Sequence, residues 1–428
     1  MRFDTLNEWL VWQESCHSSE IELGLERVGA VARAMGLTLD RSKVITVAGT
    51  NGKGSTVAVL NTLLRSAGYS VACFTSPHFL RYNERIKLDD CDVSDQLLIE
   101  SFDRIDQARG TIPLTFFEFG TLAAIDICQH HNADVILLEI GLGGRLDAVN
   151  IIDADIAVIT SIDIDHEDWL GSDREQIGRE KAGIMRSGKP TVSAGLTPPA
   201  SLQIEADKIG TTIYQAGRDF MYRQAREHGR WNWSGQSIDG QPVELLALQF
   251  PSLPAESVSA ALQTLQLLDL PITKIDYNSL ANVDLTGRFQ CRVIEGKQVV
   301  LDVAHNPAAA SYLAKRLQQT HGVGRTIALV AVMADKDIDG IVEPLINSFD
   351  TWYALELADV PRAMKASALA KKISSLTDVD VHVSSTIAIA FSDALSMMEK
   401  EDRLVVFGSF FTVAGLLEFA DGKFYDEI

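Results

Sequence analysis

Cysteine, basic charge and long apolar runs are all scarce in this sequence, and each scarcity argues against a class of function. Five cysteines (Cys16, Cys73, Cys91, Cys128, Cys291) are scattered over 428 residues, odd in number and without a C-x-x-C pair. This argues against a disulfide framework or a structural zinc site and favours a reducing compartment. No apolar run approaches the ~20 residues needed to cross a bilayer. Residues 1–20 mix Asp, Glu, Trp and Gln, without the basic start and apolar stretch of a signal peptide, so a cytoplasmic location and no membrane partner are expected. Lys and Arg number 38 against 58 Asp and Glu, a net charge of −20, with no basic cluster. A nucleic-acid binder would need one to offset phosphate repulsion. The acidity reads as solubility, and a polyanionic small substrate would need a locally basic pocket.

What the chain does have is alternation. At 428 residues and 46% hydrophobic composition it should form two or three domains. Residues 43–48 form a β-rich run ending in glycines, and 54–66 repeat apolar residues at helical spacing. A strand is expected at 70–74 and a helix at 113–129. The near-continuous apolar runs at 133–140 and 154–160 suit strands buried on both faces of a parallel sheet. A helix follows at 174–186, a small β element at 215–250 around Trp231 and Trp233, and a helix at 254–268. A second series places strands at 298–302, 326–332, 351–355, 379–383 and 403–407, with helices at 307–318, 366–373, 386–398 and 413–419. Such alternation is the pattern of doubly wound α/β sheets. The turn-rich stretch 282–288 marks the boundary. The expected architecture is α/β: a phosphate-loop, doubly wound domain over 1–285 and a Rossmann-like domain over 286–428.

Four segments carry chemistry. The first runs strand, glycines, lysine, hydroxyls, helix: Gly49-Thr50-Asn51-Gly52-Lys53-Gly54-Ser55-Thr56. Glycines let backbone N–H groups approach phosphate oxygens, the helix N-terminus adds positive potential, and Lys53 can reach terminal phosphates. Ser55 or Thr56 can face magnesium, although Val47 and Gly54 depart from the usual G-x-x-x-x-G-K-[ST] pattern. The second, Leu138-Glu139-Ile140-Gly141-Leu142-Gly143-Gly144-Arg145-Leu146-Asp147, puts Glu139 at the carboxyl end of a buried strand, where ligands of open α/β sheets collect. A buried carboxylate needs compensation, whether by a metal, a salt bridge or a cap. The third runs from Thr160 to Gly171, with His166 among carboxylates that could orient a metal. Lys181 follows and, on its neighbours alone, reads as an exposed helix lysine. The fourth pairs Gly287-Arg288-Phe289-Gln290 with Leu301-Asp302-Val303-Ala304-His305-Asn306-Pro307, polar groups at a second strand end. Arg288 could meet a phosphate or a surface carboxylate.

Together and in this order, GTNGKGS, LEIGLGGRLDA, DHEDWLG with GREKAG, GRFQ and LDVAHNP resemble the folylpolyglutamate synthase and dihydrofolate synthase branch of the Mur ligase family over roughly residues 20–415. Glu22-Leu23-Gly24-Leu25 and Thr115-Phe116-Phe117-Glu118 are similar to the pterin-site segments of bifunctional bacterial members. The resemblance implies a cytoplasmic, monomeric ligase that joins L-glutamate to dihydropteroate and to the γ-carboxyl of reduced folates, using ATP, two magnesium ions and an acyl phosphate. It assigns Thr50, Asn51, Gly52, Lys53, Gly54 and Ser55 to ATP, with Ser257, Arg288 and Asp302. Ser76, Glu139, His166 and Lys181 match the magnesium set, Lys181 as a carbamate; Lys53, Lys181 and His166 match the catalytic groups. Glu22 to Leu25, Thr115 to Glu118, and Leu146, Asp147 and Ala148 match the dihydropteroate pocket. His305 and Ser409 are candidates for glutamate. Val149 stands where the family usually has Thr or Ser, and Ser257 where it has Asn. A synthase that only extends tails, a peptidoglycan-precursor Mur ligase, and a phosphate-loop kinase or regulator are the rival readings.

Overall fold

The apolar runs become strands buried in two sheets, each belonging to its own unit: Met1–Val283 and Asp284–Ile428. A computed structural model describes residues 1–19, 21–225, 229–271, 274–320 and 324–420.

The first unit opens with helices α1 (Leu6–Ser15) and α2 (Glu26–Met35), then β1 (Lys43–Ala48), α3 (Lys53–Ser66), β2 (Val71–Phe74), β3 (Ile86–Leu88), β4 (Cys91–Asp92) and α4 (Asp95–Arg109). It continues through α5 (Phe116–His131), β5 (Val135–Glu139), β6 (Ile156–Ile159), α6 (Glu167–Leu170), α7 (Arg174–Ala182), β7 (Pro190–Ser193), α8 (Ala200–Ile209) and β8 (Thr212–Gln215). The sheet order is β4-β3-β2-β5-β1-β6-β7-β8. Pairing is parallel from β2 to β8, with β3 and β4 added antiparallel. Every residue of β5 and β6 is buried, as helices on both faces of a parallel sheet require. A separate antiparallel sheet of β9 (Met221–Gln224), β10 (Arg230–Gln236) and β11 (Pro242–Gln249) carries Trp231 and Trp233, both 1% exposed. Helix α9 (Ala255–Leu267) then packs on α3.

Because β1, β2, β5 and β6 run the same way, the loops that follow them meet at one edge of the sheet. That edge is where ligands of open α/β sheets bind. Helices α1, α2 and α4, which apolar runs alone did not mark, cover one face, with Trp9 and Phe102 fully buried. The helix expected at 174–186 stops at Ala182. Gly183 caps it, and a Cβ there would lie 2.4 Å from Arg145 Cα, so a close backbone crossing ends the helix.

The second unit contains β12 (Gln290–Ile294), β13 (Lys297–Leu301), α10 (Pro307–Gln319), β14 (Thr326–Val330), α11 (Ile338–Val342), β15 (Thr351–Leu355), α12 (Ala366–Leu376), β16 (Asp380–Ser384), α13 (Ile387–Met397), β17 (Arg403–Phe407) and α14 (Phe410–Phe419). Its order is β12-β13-β17-β14-β15-β16, parallel except for the β12–β13 hairpin. Among the described residues no helix is long and apolar enough to cross a membrane.

Candidate active site

The loop after β1 is built for close approach. Gly52 has φ 89° at the start of α3, a conformation that costs a side chain strain. Thr50 N–H donates to Ser161 O at 2.7 Å, and Thr50 Oγ1 exchanges hydrogen bonds with Asp163 O and N at 3.1 Å. Asn51 N–H donates to Ser161 Oγ at 3.1 Å. The loop is thus bound to the one after β6. Lys53 Nζ folds back onto Gly49 O at 3.0 Å and Thr50 O at 3.3 Å, which holds its charge over the loop. Thr56 Oγ1 donates to Gly52 O at 2.9 Å, whereas Ser55 Oγ is buried with no hydrogen-bond partner among the described residues. From α9, Ser257 Oγ donates to Gly52 O at 3.4 Å, so this residue braces the loop.

Gly49 tolerates no side chain. An added Cβ would lie 1.7 Å from Thr160 Oγ1 and 2.9 Å from Thr160 Cβ. Gly49→Ala is expected to cost about 1–3 kcal/mol of stability, as overpacking of a buried contact does. A lowered thermal midpoint together with weakened ATP-analogue binding is the expected readout, and an unchanged midpoint would contradict the close approach.

At the end of β5, Glu139 is 5% exposed and accepts Ser76 N–H at 3.3 Å, so the structure brings these two metal candidates together. His166 is exposed, in a left-handed conformation (φ 54°) at the head of α6, with Nε2 3.9 Å from Asp165 Oδ2. Among the described residues no three His, Cys, Asp or Glu side chains converge into a ready cage.

Lys181 is not the exposed lysine its neighbours suggest: it is 3% exposed. The glycine segment after β5 lies on α7. A Cβ on Gly144 would lie 2.8 Å from Glu180 O and 3.1 Å from Lys181 Cα, and Arg145 N–H donates to Glu180 O at 2.8 Å. Burial, reinforced by the Lys53 charge and opposed by Asp165, Asp147 and Asp163, pulls the Lys181 ammonium down to about 7. Asp147 is 2% exposed and accepts Leu142 N–H (2.8 Å) and Val149 N–H (2.9 Å). Burial pushes its carboxyl up to about 6, against those bonds and the Lys53 charge. Val149 contributes its backbone here and its side chain is buried.

The three segments matched to dihydropteroate also meet. Gly24 N–H donates to Leu146 O at 3.1 Å, and Ala148 opens the turn that Asp147 caps. Arg27 binds the carboxylate of Glu22, Glu22 O at 3.0 Å and Glu118 Oε1 at 3.1 Å. Thr115 and Glu118 form a capping box on α5. Phe117 packs against Phe74, its ring 2.6 Å from where a Gly141 Cβ would be. Phe116 meets Tyr82 edge-on at 5.4 Å, while Leu23 and Leu25 are half-buried beside Gly24. Arg27, inside the stretch similar to the pterin site, and Arg85 were given no role from the sequence. Their partners lie up to 91 residues away and no spacing announces them.

In the second unit, Asp302 accepts Phe289 N–H and Ala304 N–H, both at 2.8 Å, which ties the Arg288 turn to the end of β13. Burial raises its carboxyl and the nearby Arg288 charge opposes the rise. The Arg288 guanidinium lies 5.2 Å from the Phe410 ring centroid. His305 Nδ1 meets Val303 O at 2.7 Å, and Ser409 caps α14 through Thr412 N–H at 3.1 Å. The Ser409 hydroxyl is therefore engaged in the helix cap.

Residues 287–410 match the family model described as Mur ligase, glutamate ligase domain. The chain is 40% identical to the dihydrofolate synthase/folylpolyglutamate synthase of Escherichia coli (strain K12), over 98% of this chain and 96% of that one. The E. coli FolC structure in complex with DHPP and ADP is similar at TM-score 0.91 and 39% identity, covering 98% of both chains. A bifunctional folylpolyglutamate synthase/dihydrofolate synthase structure with Mn, AMPPNP and L-glutamate bound is similar at TM-score 0.88 and 40% identity, covering 97% of this chain and 98% of that one.

Proposed function

The chain belongs to the dihydrofolate synthase/folylpolyglutamate synthase family of Mur ligases, and from that premise we propose how its residues join L-glutamate to dihydropteroate and to the γ-carboxyl of folylpolyglutamates. The observation that carries the reading is the convergence of the Lys53 loop, the Glu139 strand end and the Asp147 turn at one edge of a parallel sheet. Loop amides and Lys53 hold the ATP phosphates and offset charge on the phosphoryl group as the pteroate carboxylate attacks. ADP leaves, an acyl phosphate forms, and the glutamate amine displaces phosphate. Holding carboxylate and amine together removes much of the entropy cost of their meeting.

Glu139, Ser76, His166 and Lys181 are the residues that would hold magnesium. The buried, unpartnered Ser55 hydroxyl beside the phosphate loop and the buried Glu139 carboxylate are hard oxygen donors that fit such an ion. Bound there, magnesium supplies charge neutralisation to phosphate oxygens. Lys181, drawn down to about 7 where it is buried, presents much of its amine neutral near pH 7, the form that adds carbon dioxide. A carbamate would replace a cation beside Lys53 by an anion. In the second unit, the family resemblance assigns Arg288 and Asp302 to ATP, while His305 and Ser409 are candidates for glutamate from their place at strand ends, the Ser409 hydroxyl also capping α14. We read the protein as a monomer acting on small molecules in the cytoplasm; its free thiols support the reducing compartment.

Incubation of the full chain with dihydropteroate, L-glutamate and ATP is expected to yield dihydrofolate, ADP and phosphate in equal amounts, each dependent on all three substrates. Tail extension of a reduced folate without dihydrofolate formation would leave only the tail-extending synthase. A phosphorylated acceptor with no phosphate released would make the protein a kinase.

A further inference from the structure

Arg85 is a buried cation with no direct ion pair among the described residues; the carboxylates of Glu139 and Glu84 attract its charge only through space. It closes the turn Tyr82–Arg85 before β3 and is 9% exposed. Its Nε–H donates to His78 Nδ1 at 2.8 Å, and its terminal nitrogens make no hydrogen bond and no ion pair with any described residue. Among the described residues the other buried arginine, Arg403, spends its terminal nitrogens on Thr320 O (3.0 Å), Thr320 Oγ1 (3.1 Å) and Thr326 Oγ1 (3.2 Å). The adjacent Glu84 attracts the Arg85 charge but makes no hydrogen bond to it, its carboxylate oxygens being taken by the N–H groups of Phe79, Leu80 and Arg81 at 2.7–2.8 Å. Buried donors left without acceptors are costly, and a bound anion on the terminal nitrogens would satisfy them.

The surroundings define that partner. The Arg85 guanidinium lies 5.3 Å from the Tyr82 ring centroid and 5.6 Å from that of Phe116, inside the segment matched to dihydropteroate. Its own carbonyl accepts Thr75 N–H at 2.9 Å, next to Ser76, which binds Glu139. The cation therefore stands between aromatic faces and the end of β5 where phosphoryl transfer is placed. An aromatic carboxylate matches this chemistry: an apolar ring beside the half-buried Phe116, the carboxylate on a planar donor fork. ATP phosphates are assigned to Lys53, and dihydropteroate carries one aryl carboxylate.

We infer that Arg85 is a substrate-binding residue that takes the aryl carboxylate of dihydropteroate on its terminal nitrogens, one oxygen held and the other left to attack phosphorus. This rests on the ligase reading above. The test measures binding of dihydropteroate and of its uncharged carboxamide to the full chain by calorimetry, with an ATP analogue as folding control. Wild type is expected to prefer the acid by about 10- to 100-fold, the range of a charged hydrogen bond. In Arg85→Gln the preference should fall to about one, with ATP-analogue affinity retained. Arg85→Lys, which keeps the charge but not the fork, should lie between, and it decides the matter if Arg85→Gln does not fold. An acid-to-amide preference unchanged in these variants overturns the inference. Wild type that binds no dihydropteroate at all would instead overturn the ligase reading.

Discussion

Lys53→Ala is expected to abolish ligation, lowering kcat/KM by roughly 100- to 1,000-fold or more, the range for losing one preorganised donor at a transition-state charge. The lysine is held over the loop by Gly49 O and Thr50 O, so its charge is in place before ATP arrives and costs no reorganisation during transfer. The helix and strand that flank it are buried by their apolar residues, not by this amine. The melting transition should therefore survive. A second consequence is electrostatic: the Lys53 charge helps hold the Lys181 ammonium down, so the substitution should let Lys181 rise toward its ordinary value. Single-turnover ATP cleavage and a thermal melt on the same preparation check the prediction, and near-normal turnover would remove the phosphate assignment.

Lys181→Ala is expected to lose activity to a similar extent, with partial recovery when short carboxylates such as formate or acetate are added. An exposed helix lysine would give neither result. This one is sealed under the glycine segment after β5 and lies in the field of Lys53 and three aspartates. In that position an ammonium is penalised by burial and repelled by Lys53, whereas a carbamate is attracted to Lys53 and offers oxygens to a metal. A diffusible carboxylate can stand in for it once the side chain is gone. Because alanine removes a poorly accommodated charge, stability should not fall by more than the small packing loss. Carbon-labelled bicarbonate should also label wild type and not the variant by NMR. Full activity of the variant without added acid, or equal labelling of both, would end the carbamate proposal.

These two lysines also show how legibility varied. Lys53 could be read locally, because a strand, a glycine turn and a helix start are contiguous in sequence and their chemistry needs no distant partner. Lys181 could not. Its neighbours Arg179 and Glu180 are polar, and its burial comes from Gly143 and Gly144 packing onto α7. The glycines Gly141, Gly143 and Gly144 make close contacts with Phe117, Leu170 and α7, packing requirements that no local spacing marks. Helices α1, α2 and α4 escaped notice because their buried faces alternate with charged ones and lack the long apolar runs that marked the strands.

The sequence by itself determined the α/β alternation, the glycine-lysine turn between strand and helix and the placement of Glu139 at a strand end, since each depends on residues within a few positions of one another. Only the tertiary structure decided that Arg27 links Glu22 to Glu118, that Lys181 is buried among charges, and that Arg85 is buried with a hydrogen bond to His78 and no direct ion pair among the described residues. Burial and charge pairing are set by which surfaces meet across the sheet edge, and the meeting segments are separated by tens of residues that local spacing does not connect.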